Sequence, residues 1–154
     1  MEEIKKLREK TSAGVMDVKK ALDEAKGDVK RAEEILKTRG VKIAQKKSDR
    51  ATAQGLIDSY IHMGKIGVLV EVNCETDFVA RNEDFKKLVH EIALQVAQSE
   101  SKTVEDLLKE EYFKDPSQTI DDLVKEAIGK IGENIKVERF TKFSLGASEG
   151  GTQE

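Results

Sequence analysis

The chain has 154 residues but only one cysteine, one proline, two histidines and no tryptophan. Each scarcity excludes a class of protein. A single thiol, Cys74, rules out an internal disulfide and any site built from several thiolates. Two distant histidines and scattered carboxylates offer no metal-ligand spacing, so no metal is expected. No apolar run approaches the roughly 18 residues of a membrane span. The opening MEEIKKLREK lacks the apolar stretch of a secretory signal. The expectation is a cytoplasmic protein without membrane attachment. There is no GxxxxGK[ST] loop, and KIGENI has the wrong glycine spacing, so no nucleotide or other cofactor is expected on the chain itself.

What is abundant is charge. Charged residues make up 37% of the chain and apolar ones 38%, the balance of a helix-rich protein. The net charge of −3 argues against a general nucleic-acid binder, yet the charge is segregated. Residues 37–50 are basic and residues 100–126 acidic. The basic segment has no interleaved aromatic ring, so a solvated tether is favoured over an RNA contact.

The fold class expected is α+β. Residues 1–40 read as a three-helix module. Ile4 and Leu7 mark the first helix, and Thr11 or Ser12 can cap the second. Val15, Val18, Leu22 and Ala25 form the stripe of that second helix, which ends at Gly27. Asp28 can cap a third, carrying Val29, Ala32, Ile35 and Leu36 and stopping at Gly40. Residues 41–54 read as a basic linker and 147–154 as a disordered tail. Between them, 55–146 form a core domain, a small antiparallel sheet of about three strands packed by helices. A hairpin over 55–74 is expected to turn at Gly64-Lys65, pairing Met63 with Ile66, Ile61 with Val68, Ser59 with Val70 and Ile57 with Val72. That register collects Ile57, Ile61, Met63, Ile66, Val68, Val70 and Val72 on one face and sets Asp58 opposite Glu71. Asn82 caps the clearest amphipathic helix, with Phe85, Leu88, Val89, Ile92, Ala93 and Val96 on one stripe. Thr103 caps VEDLLKEEYF, Thr119 caps IDDLVKEAIGKIG, and NIKVERFTKFSLG supplies a third strand.

Three places deserve a functional reading beside a structural one. Cys74 falls on the apolar face and far from His62, so a buried structural thiol is favoured over a nucleophile. Val15 and Met16 are neighbours, and a helix cannot point both into a small core, so at least one is exposed. Asp77 and Phe78 set a charge beside a large ring in what should be a connector. The following helix stripe points back to residues 81 and 82, out of line with Phe78. The residues alone leave open whether the ring plugs a core edge or is held outside.

TDFVARN after VLVEVNC, LREKTSAGVMDVKKAL near the N-terminus and KIGENI near the C-terminus together closely resemble the bacterial elongation factor Ts family. The three occur in family order and span nearly the whole chain. The resemblance implies a guanine nucleotide exchange factor that binds elongation factor Tu, both GDP-bound and nucleotide-free, and makes no bonds. It implies that Asp77 and Phe78, flanked by Thr76 and Val79, enter the partner's G domain near its magnesium and phosphate site. It implies further contacts from Lys5, Arg8, Val15, Met16 and Lys19 of the N-terminal module, and from His62, Ile131 and Gly132. Length is the departure. Many members have a duplicated core and a coiled-coil insertion, whereas here DSYIHMGKIGVLVEVNCETDF looks like both core signatures fused. This is similar to a short form, which implies a homodimer through the core domain. Three rivals stand beside it: a ubiquitin-associated-like adaptor using residues 1–40, an RNA-associated protein using 37–50, and a thiol enzyme built on Cys74.

Overall fold

Short apolar stripes separated by glycine and capping residues give the chain three opening helices. A computed structural model describes residues 1–11 and 13–147; Ser12, and the expected tail from residue 148 onward, lie outside the described residues. Helix α1 spans Glu2–Thr11, α2 Val15–Glu24 and α3 Val29–Lys47. Asp28 caps α3 as expected, its carboxylate accepting from the Lys30 and Arg31 amides at 3.1 and 3.3 Å. The α2 cap differs from expectation: Gly14 holds that position without a side-chain bond, and the Thr11 hydroxyl donates back to the Leu7 carbonyl at 2.6 Å. Leu7, Val18, Ala21, Ala25, Ala32 and Leu36 form a small core of their own.

The third helix does not stop at Gly40. It runs on to Lys47, through the first half of the segment expected to be a linker. Leu36 packs in the small core, while Ala44, two turns on, is buried in the main one. One helix therefore feeds both cores. Where it lies against the helix over 120–131, the Gly40 and Gly129 backbones meet; a methyl group on Gly129 would sit 3.7 Å from the Gly40 Cα. This packing outweighs the roughly 1 kcal/mol by which an interior glycine disfavours a helix.

The main core is a three-stranded antiparallel sheet in the order β1-β2-β5, from Gln54–His62, Ile66–Cys74 and Ile135–Ser144. The third strand is thus where the sequence put it, but the hairpin register is not. Met63 and Gly64, both with positive φ, carry the turn, and the Lys65 amide donates to the His62 carbonyl at 2.9 Å. The observed pairs are His62 with Ile66, Tyr60 with Val68, Asp58 with Val70 and Leu56 with Val72. The slip of one residue turns Ile57 and Ile61 outward. Asp58 leaves Glu71 and meets His90 Nδ1 at 3.1 Å, while Glu71 accepts from Arg139 Nε at 2.8 Å. Gly55 has no substitute in this register, because a Cβ there would lie 2.3 Å from the Val72 carbonyl oxygen.

The inner face of the sheet, with Val68, Val70, Val72 and Cys74 buried, is covered by α5 (Glu83–Gln98). All six stripe residues of α5 are buried, and Asn82 caps it. Helix α7 (Ile120–Ile131) closes the core, with a reciprocal capping box between Thr119 and Asp122. The helix capped by Thr103 is shorter than expected: α6 spans Val104–Lys109, and the chain then forms a small hairpin, β3 (Glu111–Tyr112) with β4 (Asp115–Thr119). Buried Gln95 explains the break. It donates to the Glu110 carboxylate and the Glu111 carbonyl and accepts from the Phe113 amide, bonds a continuing helix would forbid.

Candidate functional site

Phe78 lies on the surface, 79% exposed, on a single helical turn, α4, spanning Asp77–Ala80. The question left open by the sequence is thereby answered for this chain. A ring that large normally buries itself, so its exposure requires a turn held by other means. Thr76 caps the turn, its hydroxyl accepting from the Val79 amide at 3.2 Å. Val79 and Ala80 are buried in the main core and pin the turn from beneath. Val79 is therefore an anchor facing inward, whereas Asp77 and Phe78 face solvent. Asp77 Oδ2 lies 3.1 Å from Arg81 on the same surface.

A second set of bonds fixes the approach to the turn. The Glu133 carboxylate accepts from the Glu75 amide at 3.1 Å, the Thr76 amide at 3.0 Å and the Thr76 hydroxyl at 2.8 Å. Glu75 returns the contact, accepting from the Asn134 amide at 2.6 Å and facing Arg50 at 3.6 Å. Asn134 is buried and donates through Nδ2 to the Ser48 and Arg50 carbonyls. Lys47 Nζ donates to the Gly132 carbonyl at 2.6 Å. Gly132 itself ends α7 in the left-handed conformation, with φ of 90°. The end of α3, the TDFV turn and the KIGEN segment are thus laced together. Ile131 and Gly132 lie half-buried at this junction.

Cys74 sits under the same turn, fully buried, with its thiol donating to the Thr76 carbonyl at 3.2 Å. Burial raises its pKa, and the nearby Glu133 carboxylate raises it further. This is the structural thiol the sequence favoured.

The remaining candidates fall elsewhere. Val15 and Met16 are 39% and 64% exposed, and Lys5, Arg8 and Lys19 are exposed on the same pair of packed helices. His62 is exposed beside the hairpin turn, 2.8 Å from the Tyr60 hydroxyl. It lies eight strand steps from the residue paired with Cys74, roughly 27 Å by strand rise. The structure brings Thr76, Asp77 and Phe78 together with the KIGEN segment, but not with His62. Glu133, Asn134 and Glu75 escaped the sequence reading. Their only signal was an acid and an amide directly after the terminating glycine of α7.

The described residues define an α+β protein. One helix joins an N-terminal helical module to a three-stranded sheet core, and a laced turn holds an aromatic ring at the surface. No helix among them is long and apolar enough to cross a membrane. The elongation factor Ts family profile matches residues 75–151, a stretch that opens at the residue reaching Asn134. An elongation factor Ts of Nostoc sp. is 51% identical over 143 residues, covering 92% of this chain and 45% of the relative. That of Clostridium acetobutylicum is 50% identical over 150 residues, 97% of this chain and 48% of the relative. That of Alkaliphilus oremlandii is 42% identical over 188 residues, 93% of this chain and 87% of the relative. The chain spans about half the length of the first two relatives. The chain belongs to the elongation factor Ts family.

Proposed function

We propose that this chain is a cytosolic guanine nucleotide exchange factor for elongation factor Tu, acting through Asp77 and Phe78. Family membership supports this choice of partner, and the exposure of Phe78 on an ordered turn carries the reading. A free ring that large is poised for a pocket in a partner. The ring would part the elements that close over the nucleotide while the Asp77 carboxylate disturbs the magnesium site. Magnesium neutralises the diphosphate, so displacing it weakens the hold on GDP. The exposed Val15, Met16, Lys5, Arg8 and Lys19 would give a second grip that contributes affinity. His62, Ile131 and Gly132 are proposed as lesser contacts. No bond is made or broken. If the factor weakens GDP a thousandfold, about 4 kcal/mol, GDP weakens the factor equally, and GTP can then expel it. The test is release of fluorescently labelled GDP from elongation factor Tu on adding substoichiometric chain. Release no faster than the spontaneous rate would end this reading.

We further propose a homodimer through the outer face of the sheet. Ile57 and Ile61 of β1, Leu69 of β2 and Phe143 of β5 are each half or more exposed. Their paired positions place all four on the face opposite α5. An apolar patch of this kind, spread over three adjacent strands, supports a second copy as its cover. A second copy would also bring a second His62 into the assembly.

A further inference from the structure

We infer that Glu133 is a positioning residue for exchange, acting through the turn that carries Phe78. The inference rests on the exchange reading above and names a residue that reading does not use.

The geometry is specific. One oxygen of Glu133 accepts two successive amides, Glu75 at 3.1 Å and Thr76 at 3.0 Å; the other accepts the Thr76 hydroxyl at 2.8 Å. That hydroxyl is also the cap of α4. Glu133 therefore orients the cap, the cap orients the turn, and the turn aims the ring. Removing the carboxylate leaves both amides to water and frees the Thr76 hydroxyl to rotate. The buried anchors Val79 and Ala80 remain, so the turn stays attached but loses its fixed aim. Exchange needs the ring in one place during nucleotide release, whereas docking through the N-terminal module does not. Loss of Glu133 should thus lower the maximal release rate more than it raises the half-saturating concentration. A misplacement of about 1 Å is enough to remove most of such an effect.

What matters is the position of the acceptor rather than the charge. Glutamine keeps a carbonyl oxygen where the two amides converge, and its NH2 can donate to the Thr76 oxygen. Aspartate keeps the charge but withdraws both oxygens by one carbon–carbon bond, about 1.5 Å. The experiment measures labelled-GDP release from elongation factor Tu against concentration of the full chain, for wild type, Glu133→Gln, Glu133→Asp, Glu133→Ala, Phe78→Ala and Phe78→Ala/Glu133→Ala. Amide hydrogen exchange at Glu75 and Thr76 is read alongside.

Glu133→Gln is expected within threefold of wild type. Glu133→Asp and Glu133→Ala are expected to lose at least tenfold in maximal rate, with half-saturation within threefold. The double variant should equal Phe78→Ala, because Glu133 acts only through the ring. The Glu75 and Thr76 amides should exchange faster in Glu133→Asp than in wild type or Glu133→Gln. Four results would overturn the inference: Asp active with Gln inactive, Gln and Asp equally impaired, additive loss in the double variant, or unchanged amide exchange in Glu133→Asp. Should Glu133→Ala unfold, the contrast between Gln and Asp decides alone. If Phe78→Ala keeps the wild-type rate, the exchange reading itself fails. If Phe78→Ala is impaired while Glu133→Asp is normal, only the positioning inference fails.

Discussion

Phe78 and Cys74 are separated by four positions and have opposite fates. The ring is held out and the thiol is sealed in beneath it. Removing the ring should therefore leave folding stability within about 0.5 kcal/mol, as for other exposed positions, whereas a buried phenylalanine would cost about 3–5 kcal/mol. Phe78→Ala should cut accelerated GDP release at least tenfold with an unchanged urea midpoint. A midpoint drop of core size would mean the ring belongs inside, and the proposed wedge would go with it. Cys74 makes the converse case. Its raised pKa and zero exposure keep it as a shielded thiol near neutral pH. Brief iodoacetamide treatment at pH 8 should leave the folded chain unmodified by mass, and treatment in denaturing urea should label it fully. Rapid labelling of the folded chain would contradict the burial and reopen the thiol-enzyme rival.

At the level of elements, the β3–β4 hairpin hangs on an acid. Glu110 accepts from the Ser99 and Ser101 hydroxyls and from Gln95 Nε2. Burial works to raise its pKa, but the bonds from Ser101, Ser99 and Gln95 outweigh it and hold the carboxyl below its ordinary 4.5. A depressed carboxylate stabilises the fold above its unfolded pKa, and that contribution is lost as pH falls through the folded value. Wild type should therefore exceed Glu110→Gln in urea stability at pH 7, with the gap closing as pH drops below about 4.5. A gap constant with pH would remove the charge from this account. Legibility also varied by element. Helix α5 was readable because six of its apolar positions share one stripe and an asparagine precedes them. The hairpin register was not, because β1 offers apolar residues of both parities: Leu56 beside Ile57, Tyr60 beside Ile61. Nothing local marks Met63 for a φ of 52°, so the turn fell one residue late. The α3 boundary failed where packing against α7 overrode a glycine. Asp77 and Phe78 were found as a motif, but the carboxylate that holds them lies over 50 residues away in sequence. Long-range hydrogen bonding of that kind leaves no local pattern.

For the whole molecule, the decisive feature is a sheet with one face covered and the other bare. Inside, α5 covers the buried Val68, Val70 and Val72; outside, Ile57, Ile61, Leu69 and Phe143 meet solvent, with Met63 and Leu145 exposed nearby at the turn. Scattered apolar residues need no explanation, but four on one face of three adjacent strands do. A two-fold dimer would cover each copy's face with the other's, since the same patch serves both sides. Leu69 and Phe143 are 50% and 63% exposed, so lysine at both positions leaves the inner core untouched. Wild type should sediment at twice the 17.2 kDa of one chain at micromolar concentration, and Leu69→Lys/Phe143→Lys at that mass, with the same helical circular dichroism. A two-fold pair of the variant would have to bury four lysines in this face, two from each copy, which is strongly unfavourable. If wild type sediments as a monomer and still accelerates GDP release in full, the second copy is unnecessary. The bare face would then be free for another surface of elongation factor Tu. The lysine variant separates these cases, because a face used by the partner loses exchange activity even where no dimer ever formed.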